Sequence, residues 1–259
     1  MTSEIALRVL QGMPDIEPGD DLAGLLAQAA GRSQLAIRNG DVLVVAQKIV
    51  SKSEGRYVHL PGVQPSREAR ELATRVHKDP RKVQVILDES RRVVRAAPPR
   101  SDQTEGVLIT EHRLGFVCAN AAVDESNIDR PDSLLLLPAE PDDSARRLQQ
   151  ALAAVLGAEV GVVISDTFGR PWRRGLVNVA IGIAGIPALA DLTGSTDAYG
   201  RTLKATVPAL ADEIAAASGL LMAKAAGTPV VLFNGLRWQA DPTSSAQDLL
   251  RPETEDLFR

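Results

Sequence analysis

The sequence predicts an α+β fold, with mixed and antiparallel sheets standing among helices. Three observations carry this prediction. Short, uniformly apolar runs such as Val42-Leu43-Val44-Val45-Ala46, Leu134-Leu135-Leu136-Leu137 and Val230-Val231-Leu232-Phe233 read as strands buried on both faces. Between them lie segments with apolar residues at helical spacing, opened by capping residues. The two kinds of segment do not alternate strictly, which disfavours a doubly wound parallel sheet.

The chain justifies each element in turn. Asp20 and Asp21 precede Leu22-Ala23-Gly24-Leu25-Leu26-Ala27, a helix with Asp at its N-cap. Asn39-Gly40-Asp41 is a turn before the strand 42–46, and the polar, basic segment 47–56 follows it. Pro65-Ser66 opens a charged helix, and Asp79-Pro80 opens another, with Pro at the first helical position. Arg91-Arg92-Val93-Val94-Arg95 reads either as the solvated end of that helix or as a strand leaving it. Residues 106–110 and 115–120 form a hairpin about Glu111-His112-Arg113-Leu114. Asp142-Asp143-Ser144 caps a helix running to about Leu156, and Gly161-Val162-Val163-Ile164-Ser165 is a further strand. A Gly- and Ala-rich stretch spans 175–190, and a helix is expected from about Val207 to Lys224. The chain is read as one domain, 1–259, with a subdomain junction suggested by composition near 60–66.

Composition narrows the function. The 259 residues are 44% hydrophobic but only 3% aromatic, so the core is built from aliphatic side chains. One cysteine, Cys118, excludes a disulfide framework and any site needing two Cys ligands; its apolar strand makes it a buried, inert thiol. No apolar run approaches the ~18–20 residues of a membrane helix. The first ten residues lack the basic-then-apolar order of a secretory signal, so a cytoplasmic location is expected. A net charge of −4 and few stacking rings argue against a nucleic-acid partner. Phosphate-loop, dinucleotide, zinc-helix and nucleophile-elbow motifs are all absent. The scattered His59, His77 and His112 read as surface residues.

Any chemistry must therefore come from carboxylates, hydroxyls, cations and backbone amides. Four segments supply them. Gln11-Gly12-Met13-Pro14 is a turn whose amides can approach a phosphate, or simply a turn. Lys48, Ser51, Lys52 and Ser53 can converge on polyphosphate, and read equally as a solvated basic loop. The third is Asn120-Ala121-Ala122-Val123-Asp124-Glu125-Ser126-Asn127, and the fourth is Ser165-Asp166-Thr167-Phe168-Gly169-Arg170. Each places an Asp at or just past a strand end. Asp166 with Thr167 offers hard oxygen ligands suited to Mg²⁺ or Mn²⁺. Singly, each Asp also suits a turn or cap. Together the four segments form the inventory that phosphoryl transfer requires.

These residues carry a resemblance. In order, Leu10-Gln11-Gly12-Met13-Pro14, Ser51-Lys52-Ser53-Glu54-Gly55-Arg56, the Asn120–Asn127 segment, Ser165-Asp166-Thr167-Phe168-Gly169-Arg170-Pro171-Trp172-Arg173, Asp197-Ala198-Tyr199-Gly200 and Ala211-Asp212-Glu213 resemble the coenzyme F420-0:L-glutamate ligases. The match covers nearly the whole chain. It implies two intertwined subdomains, a homodimer, and GTP-dependent, GDP-forming addition of L-glutamate to F420-0, with further gamma-linked glutamate, through an acyl phosphate. It implies Asp124, Asp166 and Thr167 as ligands of Mg²⁺ or Mn²⁺, two ions in all, with K⁺ as an additional ion. Asp124, Asp166 and Lys52 are the implied catalytic residues. Gln11, Gly12, Met13, Pro14, Gln47, Lys48, Lys52 and Asn127 are the implied nucleotide contacts. Two positions depart from the pattern: Lys224 stands where many members carry an acidic residue, and Asn234 where Arg is expected. Either Lys224 replaces part of a cation's charge or Glu213 serves as a ligand. The resemblance implies a stand-alone ligase unit, without the nitroreductase-like, FMN-binding domain that follows it in one branch of the family. A metal-dependent GTPase or phosphohydrolase, and a non-catalytic deazaflavin-binding protein, are the rival readings, because a phosphoryl-transfer site does not name its acceptor.

Overall fold

A computed structural model describes residues 4–128, 130–223 and 227–256. In chain order the strands and helices are β1 (Ala6–Val9), α1 (Leu22–Arg32), β2 (Val42–Ala46), α2 (Gln47–Ser53), β3 (Tyr57–His59), α3 (Arg67–Val76), α4 (Pro80–Asp88) and β4 (Ser90–Ala97). They continue as β5 (Val107–His112), β6 (Val117–Ala119), β7 (Ser133–Leu135), α5 (Pro141–Leu156), β8 (Gly161–Arg170), β9 (Arg173–Ala184), α6 (Leu210–Ser218) and β10 (Val230–Asn234). The fold is α+β, as expected, with one mixed sheet and two antiparallel ones. The chain divides into two compact units: residues 1–53, 140–167 and 177–259 form the first, and residues 54–139 with 168–176 the second. The chain therefore passes from one unit to the other at 53/54, 139/140, 167/168 and 176/177, and residues 60–66 lie inside the second unit.

The first unit is built on a sheet in the order β1-β10-β2-β8-β9. Strand β10 runs antiparallel to both β1 and β2, with Val231 opposite Val9 and Val230 opposite Val45. Strand β2 runs parallel to β8, from Val42 opposite Gly161 to Ala46 opposite Ser165. Consequently β1, β2 and β8 point the same way. The apolar runs are buried on both faces because helices cover the sheet. Val42, Val44, Val163, Val231 and Phe233 pack with Ala211, Ile214 and Ala215 of α6, while Leu43, Val45, Val162 and Ile164 are equally buried. Helices α1 and α5 pack together. Asp21 caps α1 by accepting from the Gly24 amide, as its position in the sequence predicts.

The sheet edge at β9 is closed by side chains. Asp142 accepts from the Ile183 amide (2.8 Å) and Asp212 from the Ala180 amide (2.9 Å), satisfying donors that an open edge would expose. This corrects the reading of Asp142 as a helix cap: α5 begins with Pro141 in its first turn, and its Glu140 N-cap makes no side-chain capping bond. Gly182 is required at this edge, since a Cβ there would stand 2.4 Å from the Pro141 carbonyl oxygen.

Several elements differ from expectation. β1 goes unpredicted, and β9 replaces the stretch read only as Gly- and Ala-rich, because its inward Ile181 and Ile183 are interleaved with small residues that give no strand pattern. β8 extends past Ser165 to Arg170 through pairing with β9. Helix α6 is shorter than 207–224, starting after Pro208 and ending before Gly219.

The second unit contains the antiparallel sheet β4-β5-β6 and the pair β3-β7. The 91–95 run lies within β4, and the predicted hairpin is β5/β6. Ala69, Ala73 and Val76 of α3 and Val83 and Ile86 of α4 pack with Ala96, Leu108 and Ala121. Ser66 and Asp79 cap α3 and α4 as predicted. Cys118 is buried. His59 and His77 are exposed, but His112 is wholly buried. Its Nδ1 accepts from the Leu114 amide (3.0 Å), and its Nε2 faces Glu89 Oε2 at 3.4 Å. The polar neighbours Glu111 and Arg113 suggest a surface position; the β-strand alternation turns His112 the other way.

Candidate functional site

The directions of the strands in the first unit gather most of the predicted residues. Because β1, β2 and β8 are co-directional, the segments leaving their C-terminal ends lie along one end of the sheet. Ligands of open sheets bind outside the carboxyl ends of strands for this reason. Gln11, Gly12, Met13 and Pro14 follow β1; Gln47, Lys48 and Lys52 follow β2; Asp166 and Thr167 continue β8 beyond its last pair with β2, Ser165 opposite Ala46.

The 11–14 turn is held by the end of α1. Ser33 Oγ accepts from the Gln11 amide (2.8 Å), and Arg32 Nη2 donates to the Gly12 carbonyl (2.9 Å). Gly12 has φ +72°, and a Cβ there would meet Arg32 Nε at 3.1 Å, so this is one position that glycine alone fills without strain.

The segment after β2 is not a solvated loop. It is helix α2, whose Gln47, Ser51 and Lys52 are buried, with Lys52 only 8% exposed. Ser51 Oγ donates to Gln47 Oε1 (2.8 Å), which fixes the Gln47 amide; its buried Nε2 has no hydrogen-bond partner among the described residues. An orphaned donor at a strand end is a position where a polar ligand would restore a lost hydrogen bond.

Around the end of β8, Thr167 Oγ1 lies 2.9 Å from Asn178 Oδ1 on β9. The other arm of that amide, Nδ2, donates toward Met222 Sδ (3.8 Å), which Ser165 Oγ (3.9 Å) and Ser218 Oγ (3.7 Å) also approach. Sequence reasoning missed Asn178, whose partner lies eleven residues away across a hairpin that the pattern does not reveal. Asp212, on α6, is half-buried, and burial pushes its carboxyl above the usual range against the opposing Ala180 hydrogen bond. Glu213 is exposed, and Lys224 lies outside the described residues. Asn234, at the C-terminal end of β10, accepts from Arg8 Nη1 and lies at the opposite end of the sheet from the 11–14 turn.

The second unit presents the Asp124 segment on an unusual support. Asn120, Ala121 and Ala122 have φ of 54°, 51° and 54°, three consecutive left-handed residues without a glycine. Such residues are disfavoured by roughly 1–2 kcal/mol each. The turn is held by Val123 N bonding to Asn120 O and by the burial of Ala121 in the core. Asp124 then pairs with Leu135 through both backbone bonds, adding a bridge beside β7. Its Oδ1 accepts from the Ser126 amide (2.8 Å) and hydroxyl (2.9 Å), and Asn127 is exposed with φ 56°.

Arg56, from the same motif as Lys52, serves a different purpose. It donates to the Leu137 carbonyl and lies 3.6 Å from Glu89, which Arg113 (3.1 Å) and His112 also face. Burial opposes ionisation of Glu89. The His112 ring at 3.4 Å and the hydrogen bond from Arg113, with the charges of Arg113 and Arg56, outweigh it and hold the carboxyl below its usual range.

Among the described residues, no group of three or more His, Cys, Asp and Glu side chains converges in metal-binding geometry. The chemistry of the donor set nevertheless fits a hard cation: Asp166 and Thr167 offer oxygen alone, and the first unit contains no Cys or His. No helix among the described residues is long and apolar enough to cross a membrane.

Comparison with known proteins adds a family. The sequence profile described as F420-0:Gamma-glutamyl ligase matches residues 12–235. A coenzyme F420:L-glutamate ligase of Methanopyrus kandleri is 46% identical over 248 residues, covering 94% of this chain and 93% of that protein. Proteins with the same name from Methanothermobacter thermautotrophicus (42% identical; 98% and 99% covered) and Archaeoglobus fulgidus (41%; 96% and 94%) are similarly related. With the profile spanning the chain from Gly12 to the end of β10, this chain belongs to the F420-0:gamma-glutamyl ligase family.

Proposed function

We propose that this protein joins L-glutamate to coenzyme F420-0 at the expense of GTP, and extends the product with gamma-linked glutamate. The observation that carries the reading is the convergence of the 11–14 turn, α2 and Asp166-Thr167 at one end of the sheet, in a chain similar over nearly its full length to named ligases. A carboxylate is a poor electrophile because it has no good leaving group. Transfer of the γ-phosphoryl group of GTP to the substrate's terminal carboxylate forms an O–P bond, breaks the β,γ-bridging bond and releases GDP. The amine of glutamate then attacks the acyl phosphate; a C–N bond forms, inorganic phosphate leaves, and the amine loses a proton.

The chain's own groups divide this work. The backbone of Gln11, Gly12, Met13 and Pro14, with Gln47, Lys48 and Asn127, holds the nucleotide. Gln47 Nε2 is the donor whose missing partner an anionic ligand supplies. Lys52, held on α2, offsets negative charge developing on the transferred group. Asp124, Asp166 and Thr167 are the oxygen ligands of Mg²⁺ or Mn²⁺, whose chemistry when bound is to neutralise phosphate charge. A homodimer is the proposed functional form, with K⁺ as an additional ion.

The test combines protein, F420-0, GTP, Mn²⁺ and glutamate, and follows product mass with time. Glutamate-dependent products of higher mass, formed with GDP, are expected. GDP release indifferent to glutamate would assign hydrolysis instead, and tight precursor binding without turnover would assign a carrier.

A further inference from the structure

Asn178 lies outside the six motif segments that carry the resemblance, yet its side chain occupies a defined position beside Thr167. Its amide has two different neighbours, Thr167 Oγ1 at 2.9 Å and Met222 Sδ at 3.8 Å. The sulfur orients the amide. A thioether is only an acceptor, so the NH₂ arm belongs on that side and the carbonyl arm on the side of Thr167. The reverse orientation would set the carbonyl oxygen against the sulfur, two acceptors with no proton between them. The Ser165 hydroxyl also approaches this sulfur (3.9 Å), while Ser218 packs beside it (3.7 Å) and gives its own proton to the Ala215 carbonyl (2.6 Å). Gly219, just past α6, completes the cradle: a Cβ there would stand 3.3 Å from Asn178 Cγ and Nδ2, so the amide packs directly on backbone.

This orientation decides what the Thr167 hydroxyl offers a ligand. A hydroxyl has one proton and two lone pairs. With its proton committed to Asn178 Oδ1, the oxygen presents lone pairs only. Such an oxygen suits a cation and is mismatched to a phosphate oxygen, which needs a donor. We propose that Asn178 is a positioning residue that fixes the Thr167 hydroxyl as a lone-pair ligand for a divalent cation. The inference deepens the function proposed above and rests on its assignment of Thr167 as a cation ligand.

The test uses the full chain and Mn²⁺ alone, following free Mn²⁺ by its electron paramagnetic resonance signal. Asn178→Leu is expected to weaken binding by about tenfold, the scale of outer-sphere partners of metal ligands. Asn178→Asp retains an acceptor for the hydroxyl and is expected to bind at least as tightly as the unmodified protein; it also serves if the Leu variant fails to fold. Thr167→Val should weaken binding, and adding Asn178→Leu to it should weaken binding no further. Unchanged affinity in Asn178→Leu, unchanged affinity in Thr167→Val, additive losses in the double variant, or a loss in Asn178→Asp matching that in Asn178→Leu would each overturn the inference while leaving ligation open. Failure of the unmodified protein to take up Mn²⁺ would instead remove the cation reading itself, and this inference with it.

Discussion

The two units hold their polar residues by different physical means. In the first, the sheet core is aliphatic, and the candidate residues, buried Gln47 and Lys52 among them, lie just after β1 and β2 and on β8 beyond its last pair with β2. Their placement follows from strand direction, with little local strain beyond the positive φ of Gly12. In the second, Glu89 gathers Arg56, Arg113 and the buried His112 into one ionic cluster, and Asp124 follows three left-handed residues. The contrast teaches that a half-buried site residue such as Asp166 stands outside the aliphatic core of its unit, whereas the Glu89 cluster and the left-handed turn are built into the stability of theirs.

Five substitutions test that contrast. Asp166→Asn should have the largest effect, lowering glutamate-dependent turnover at least 100-fold, the scale of removing one preorganised electrostatic group, while the thermal unfolding midpoint stays within a few degrees of the parent. Full rate at limiting Mn²⁺ would sink the assignment of Asp166 as a ligand. Glu89→Gln acts in the opposite way: it should destabilise the fold by about 2 kcal/mol by leaving half-buried cations and a buried imidazole without their carboxylate.

The pH dependence of that second effect has a defined sign. A carboxyl held below its ordinary value of 4.5 in the folded state contributes stability in full above that value. The contribution disappears as pH falls through the lower, folded value. The unmodified protein should therefore lose stability on acidification more steeply than Glu89→Gln. Parallel melting curves from pH 7 to pH 3 would refute the hub.

Strain gives a smaller effect of unusual sign. Ala122→Gly should stabilise the protein by up to about 1 kcal/mol, because glycine accepts φ +54° without the Cβ clash. The same change at exposed Ala154 in α5 should cost about 1 kcal/mol. Chemical denaturation distinguishes the two; a loss at both positions would deny that the left-handed turn is strained. Asp212→Asn is expected to be the mildest. It keeps an acceptor for the Ala180 amide and removes a desolvated charge, so stability at pH 7 should rise by less than about 1 kcal/mol. A carboxyl raised by burial loses stabilising effect as pH rises through its folded value, so the Asn variant should gain most above that value.

Much of this was legible before any tertiary contact. The apolar runs at 42–46, 161–165 and 230–233 are strands, Asp21, Ser66 and Asp79 cap the helices that follow them, and Cys118 is buried. The candidate residues were also legible as a chemical inventory, since the order of the segments carries the family. What escaped had a long-range cause. Helix α2 looked like a basic loop because its burial comes from the surrounding fold, not from its own composition. β9 was hidden because Ala and Gly interleave its buried Ile residues, and the smallness of Gly182 answers to Pro141 of α5 beside it, that of Ala180 to the α6 cluster.

Local pattern thus established the apolar strands, the capped helices and the family of this protein. These depend on residue type at short spacing, where backbone geometry and hydrophobic periodicity act directly. Tertiary structure alone decided that β1, β2 and β8 run the same way, that Lys52 and His112 are buried, and that Asn178 holds Thr167. Strand direction and side-chain partnership join residues far apart in the chain, and the free energy that selects them comes from packing the whole unit at once.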